Sequence, residues 1–288
     1  MYRKPLYLAL ILLALATLAC RITVDLPFNQ IKTGPTQTMD INIPLLKETG
    51  AVADVELAFG AGRLNISPGA IDQLITGTAT YNVPEFKPQI TTEGTSVRIS
   101  QDESRFEGIP TFGDDVKNTW DLELGDAPMN LRVAAGAYQG RIELGGLSLE
   151  NLRVSDGAAE SQVSFSEPNQ VQMDTLRYET GASKITLTGL ANANFGDMIF
   201  KGGAGDYRLD FSGDLQRDAT VNVQSGLSNV VISVPEGTAA RLTIQGGLAN
   251  VDRRGSWEKS ADTYLLSGEG PMITFTVDMG AGNLELNN

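Results

Sequence analysis

Eight glycines constrain this chain more than any other feature: Gly60, Gly136, Gly157, Gly181, Gly203, Gly226, Gly247 and Gly280, each followed by Ala or Leu. Five and three residues before each of them the sequence is apolar, as in Val55/Leu57, Leu152/Val154 and Phe275/Val277. That is the alternation of a half-buried strand running into a turn. From Gly136 to Gly247 successive glycines lie 21, 24, 22, 23 and 21 residues apart, and self-similarity at such a period marks a repeat architecture. Two all-β folds can use the pattern: a parallel β-solenoid of about eight coils, or an antiparallel β-sandwich in which each glycine marks a hairpin. Hairpin turns have no reason to resemble one another. Coils stacked about 4.8 Å apart bring equivalent corners together, so equivalent small residues become a packing requirement. The period favours the solenoid, with the sandwich as the alternative.

Beyond each glycine the apolar alternation resumes four and six residues on, as in Leu64/Ile66, Ile185/Leu187 and Leu284/Leu286. The step across the corner is odd, so the glycine must carry a bend that returns side chains to the inner face; Gly and Ala suit such backbone geometry. Two coils read as shifted by two residues, to Ile142/Leu144 and Val163/Phe165, and the coil of Gly247 places Arg253 where an apolar residue is expected. Second bends fall at Gly145-Gly146, Glu167-Pro168-Asn169, Gly189, Gly213-Asp214 and Pro235-Glu236-Gly237 and divide each coil into two arms. The intervals 60–136 and 247–280 break the period. In the first, Leu74 to Val83 and Gln89 to Ser100 alternate as a two-stranded flap, and Trp120, Leu122 and Leu124 lead back into the repeat. In the second, Trp257, Tyr264, Leu265 and Leu266 read as a hairpin-like excursion covering the last coils.

The chain has 22 basic and 35 acidic residues and a formal charge of −13, which repels a phosphate backbone and argues against a nucleic-acid partner. It contains no histidine, so the usual general base and the commonest zinc ligand are missing. Its one cysteine is Cys20. Arg3 and Lys4 precede an apolar run from Leu6 to Leu18, the pattern of an export signal. Thr17-Leu18-Ala19-Cys20 resembles a bacterial lipobox, which implies that Cys20 is acylated and becomes the mature N-terminus, anchoring the protein to a membrane. The expected organisation is a signal peptide over 1–19, a tether over 20–38 containing Pro27 and Pro35, an N-terminal β region over 39–129, and the repeat over 130–288.

Chemistry-bearing patterns are few. Asp102, Glu103, Glu107, Asp114 and Asp115 crowd a Gly- and Pro-containing stretch, but their spacing is not that of a calcium loop and a solvated loop is the better reading. Gly202-Gly203-Ala204-Gly205-Asp206 approaches the glycine-rich calcium repeat of β rolls, with its aspartate one residue early and no second copy. Asp174/Glu179 and Asp206/Asp210 are carboxylate pairs that a polysaccharide-cleaving β helix would need in one groove. No phosphate loop or nucleophile elbow is present. No catalytic residue, no cofactor and no metal is expected.

Val55-Glu56-Leu57, Gly60-Ala61-Gly62-Arg63-Leu64-Asn65-Ile66, Tyr81-Asn82-Val83-Pro84, Lys87-Pro88 and Thr119-Trp120-Asp121-Leu122, together with the C-terminal repeat, resemble the toast-rack domain of bacterial envelope proteins. That family is related to cell-wall-active antibiotic response proteins and to candidate adhesins. The resemblance implies an envelope β-solenoid with a protein partner in signalling or envelope-stress machinery and no catalytic residues. The expected function is a lipid-anchored, extracytoplasmic, non-catalytic interaction module, with a surface-glycan adhesin as the alternative and a polysaccharide-active enzyme third.

Overall fold

A computed structural model describes residues 28–30, 33–48, 50–101, 109–111, 115–246 and 248–288. Cys20, Asp102, Glu103, Glu107, Asp114 and Gly247 lie outside the described residues. The first strands in chain order are β1 (Phe28–Gln30), β2 (Gln37–Pro44), β3 (Ala53–Pro68), β4 (Gln73–Tyr81), β5 (Gln89–Glu93) and β6 (Ser96–Ser100). Then come β7 (Ile109–Thr111), β8 (Asn118–Leu124), β9 (Met129–Glu143), β10 (Leu149–Ser164), β11 (Met173–Thr188) and β12 (Phe195–Asp210). The remainder are β13 (Ala219–Ser233), β14 (Gly237–Ile244), β15 (Leu248–Arg253), β16 (Glu258–Ser260), β17 (Thr263–Leu266) and β18 (Gly268–Asn287). Two units can be separated. One contains the parallel pairing of β1, inside the expected tether, with β7, inside the expected acidic loop. The other is an all-β solenoid whose sixteen described strands form one open, mostly parallel sheet.

The long strands run straight through their glycines. In β10, β11, β12 and β13 the pairs Gly157-Ala158, Gly181-Ala182, Gly203-Ala204 and Gly226-Leu227 are each two consecutive exposed residues. That doubling shifts the alternation by one and restores the inner face, as the odd step across the corner requires. Val55, Leu131, Leu152, Leu176, Met198, Val221 and Phe275 then stand in register on successive coils, none more than 2% exposed. Burying each contributes about 1.5–3 kcal/mol.

The corner glycines stack for a reason other than backbone freedom, since none of the seven described ones has positive φ. A Cβ on Gly136, Gly157, Gly181, Gly203, Gly226 or Gly280 would lie 2.4–3.0 Å from the carbonyl oxygen of the preceding coil's glycine. Close stacking, and not left-handed geometry, excludes a side chain there.

Three expectations are corrected. The two coils read as shifted keep register: Gly140 and Ser161 occupy the positions of Leu64 and Ile185. The Tyr138 ring fills the space they leave, because a Cβ on Gly140 would meet its Cε2 at 2.5 Å. The expected flap is two separate pieces. Strand β4 pairs antiparallel with β2 and β8, while β5 and β6 form a hairpin joined to β3 through β6. Coil order, on which the repeat is silent, departs from sequence order, because β18 is inserted between β13 and the β14/β15 coil. The antiparallel sandwich is also set aside, since every pair in the ladder from β3 through β9–β13 to β18 is parallel. The excursion over 254–266 forms the antiparallel β16–β17 hairpin, and β17 pairs with β14. It buries Trp257, Tyr264 and Leu266. Arg253 belongs to this outer coil, is exposed, and donates to the Trp257 carbonyl at 2.8 Å.

Candidate functional site

Strands β6 and β8 together make one divided coil: β6 pairs with the first half of β3 at Asp54–Ala58, and β8 with the second half at Arg63–Pro68. Where the chain leaves this coil, buried Gln101 and Asn118 replace the missing corner. Gly60 N–H donates to Gln101 Oε1 at 2.8 Å, Gln101 Nε2 donates to Asn118 Oδ1 at 2.8 Å, and Asn118 Nδ2 donates to the Ala61 carbonyl at 2.5 Å.

Beside this junction the first arm carries a groove of about 370 Å³ on its outer face, within the size range of small-ligand sites. Four residues before each corner the side chain faces outward, and register aligns Arg98, Glu56, Arg132, Arg153 and Arg177 on five adjacent strands. Six residues before the corner, Asp54, Asn130, Asn151 and Thr175 form a parallel row. Asn151 Nδ2 donates to Asn130 Oδ1 at 2.9 Å and Asn130 Nδ2 to Asp54 Oδ1 at 2.8 Å.

Two carboxylates divide the arginines into pairs. Glu56 meets Arg98 at 2.8 Å and Arg132 at 3.8 Å; Glu179 meets Arg177 at 2.6 Å and Arg153 at 2.9 Å. The hydrogen bond from Arg177 holds the Glu179 carboxyl below its usual range and raises the Arg177 guanidinium in return. The four guanidiniums are 29–53% exposed, so these bridges are weak and exchangeable. Asp54, Glu56 and Glu179 stand against the four arginines, which leaves this face a slight basic excess on a chain of formal charge −13. Aligning the corners would have found three of these arginines; Arg98 has no corner glycine to mark it.

A second polar cluster lies under the Gly157 corner. Asp156, one residue before the glycine, accepts from Tyr178 at 2.7 Å, from Tyr138 at 3.3 Å and from Thr180. Burial pushes the Asp156 carboxyl up, against those hydrogen bonds, and pushes both phenols up as well. The phenols are therefore neutral donors. The arrangement is a hydrogen-bonded brace that ties the β9, β10 and β11 coils together beneath the corner.

The carboxylates singled out in the sequence are not gathered. Five strand residues put Asp174 and Glu179 roughly 17 Å apart, and four put Asp206 and Asp210 about 13 Å apart, beyond the separation of glycosidase pairs. Asp206 accepts from Asn229 and Asp210 from Ser212. The glycines beside Asp206 make room for packing: a Cβ on Gly202 would strike the Tyr207 ring at 2.4 Å. No group of three metal-ligating side chains occurs among the described residues. Cys20 and all of the acidic run except Asp115 lie outside them.

The family model for the N-terminal domain of toast_rack, DUF2154, matches residues 32–176, just over half of the 288 residues. No curated protein matches. Among solved structures, a candidate cell adhesion protein from Clostridium sporogenes is 18% identical, with a TM-score of 0.49 over 88% of this chain and 99% of that one. A candidate adhesin from Bacteroides fragilis is 10% identical, with a TM-score of 0.34 over 90% and 99%. A candidate lipid-binding protein from Parabacteroides distasonis is 11% identical, with a TM-score of 0.38 over 89% and 99%.

Proposed function

From the premise that this chain belongs to the family of the N-terminal domain of toast_rack, we propose that it is a non-catalytic interaction module of the bacterial envelope. Acylated Cys20 holds it at the membrane on the extracytoplasmic side, and the partner is an envelope component met by the first arm's outer face. The observation that carries this reading is the groove over Arg98, Glu56, Arg132, Arg153 and Arg177, an exposed, arginine-rich row aligned by strand register. A role in envelope-stress signalling is the same reading with a signalling protein as the partner. A surface-glycan adhesin is the second reading, favoured by the amide row at Asn130 and Asn151 beside the guanidiniums.

Two measurements test it. Acyl labelling and membrane fractionation should show lipid on the wild-type protein and release of a Cys20→Ala variant; a variant that stays on membranes contradicts the anchor. Immobilised protein should retain solubilised envelope material, and Arg132→Glu/Arg153→Glu should lose most of it. Equal retention by the double variant contradicts the assignment of the working face.

A further inference from the structure

Arg132 and Arg153 are direct cross-strand neighbours, about 4.8 Å apart along the stack. Like charges opposite one another on adjacent strands are destabilising, and elsewhere in this row a carboxylate relieves them: Glu56 between Arg98 and Arg132, Glu179 across Arg153 and Arg177. Between Arg132 and Arg153 no carboxylate intervenes among the described residues. Among the described residues Arg132 approaches one carboxylate, Glu56, at 3.8 Å, outside hydrogen-bond range. The two guanidiniums, 53% and 47% exposed, become a fork toward solvent when an anion draws Arg153 from its bridge to Glu179, at 2.9 Å, which its exposure makes weak and exchangeable.

We infer that this fork takes one carboxylate of an acidic glycan, a uronic acid flanked by neutral sugars, lying along the groove. The inference rests on the reading of the first-arm face as the binding face. Charge complementarity selects an anion at the fork. Glu56 and Glu179 on either side repel a second and third anion, which selects an isolated carboxylate over a dense polyanion. Asn130, Asn151 and Thr175 run beside the arginines and supply acceptors and donors for hydroxyls. The arginine stems make the floor apolar enough to carry a sugar ring. Same-face side chains of an extended peptide repeat every 6.8 Å or so, out of step with a row spaced by coils. A pyranose unit is about as long as the spacing between coils, near 4.8 Å, so a sugar polymer laid across them stays in step.

The test is a titration of the purified full-length protein in detergent with a hyaluronan hexasaccharide, whose carboxylates alternate with neutral sugars. Chitohexaose is the neutral control, glucuronate the monomer, and polyphosphate and polyglutamate the dense and peptide polyanions. The hexasaccharide should bind at least tenfold more tightly than any of these, and several-fold less tightly as salt is raised from 50 to 300 mM, because exposed charges are screened. Arg132→Ala and Arg153→Ala should each weaken it at least tenfold. Arg132→Lys should fall between, losing the planar fork, and Arg241→Ala, outside the groove, should leave binding unchanged. Equal binding of chitohexaose, or tighter binding of either polyanion, overturns the inference, as does binding indifferent to Arg132 and Arg153. If the hexasaccharide fails while Arg132→Glu/Arg153→Glu still loses the envelope material, the ligand class is wrong and the binding face stands. If neither moves, both readings fall.

Discussion

The regular ladder from β9 to β13 and the divided coil of β6 and β8 solve one problem with different chemistry. In the ladder, the backbone of each corner glycine rests against the carbonyl of the glycine before it, close enough to exclude a Cβ. In the divided coil the chain departs at the corner, and the side-chain amides of Gln101 and Asn118 take over the polar groups of Gly60 and Ala61. The first solution repeats because each corner must match its neighbour. The second occurs where an insertion interrupts the stack, and it frees the first arm to carry Arg98 into the basic row. The groove lies where the two regimes meet.

Breaking the ladder should cost most. Gly181→Ala would place a Cβ 2.4 Å from the Gly157 carbonyl, backbone against backbone, and should destabilise by about 3 kcal/mol, the upper range of overpacking, measured by urea unfolding. Gln101→Ala leaves Gly60 N–H and Asn118 Oδ1 without their partner and should cost about 2 kcal/mol, as for buried polar groups left unpaired. Gly60→Ala should cost about 1–2 kcal/mol, less than Gly181→Ala, because its Cβ would displace the Gln101 side-chain oxygen, at 2.9 Å, and not a backbone carbonyl. If Gly60→Ala and Gly181→Ala are equally damaging, the two corners are not different.

A smaller effect should appear with pH. Burial raises the Asp156 carboxyl above its usual range, so the folded state holds that proton more tightly than the unfolded chain. Stability linked to this group therefore rises as pH falls, through the window from its raised folded value down to the ordinary value near 3.9. Asp156→Asn should remove this increment while keeping neutral-pH stability equal or higher. An identical pH dependence in the two proteins would contradict the buried brace.

The sequence carried the ladder because in-register packing writes the same residues at the same offsets. Val55 to Phe275 and the corner glycines could be aligned by counting, and the parallel sheet followed from that. The divided coil could not be counted out. Gln101 and Asn118 are joined only in space, and nothing at either position resembles a corner. Gly140 and Ser161 misled for a related reason: a ring from Tyr138 fills the space from two residues away, which a periodic pattern cannot express. The groove was half legible, since Arg132, Arg153 and Arg177 share an offset whereas the position of Arg98 depends on strand pairing. The insertion of β18 was hidden because neighbouring coils have interchangeable patterns and only long-range pairing sets their order.

That insertion is also where register stacking is most directly tested. Asn229 and Asn283 are in-register neighbours, with Asn283 Nδ2 donating to Asn229 Oδ1 at 3.0 Å, and Asn250 lies on the far side of Asn283. In a Cys20→Ala background, Asn229→Cys/Asn283→Cys should form a disulfide under mild oxidation, because adjacent strands are about 4.8 Å apart and within disulfide reach. Asn229→Cys/Asn250→Cys, about two strand spacings apart, should remain reduced. The reverse outcome, with 229 linked to 250 and not to 283, would mean that the coils stack in sequence order and would contradict the architecture on which the corner ladder and the arginine row both depend.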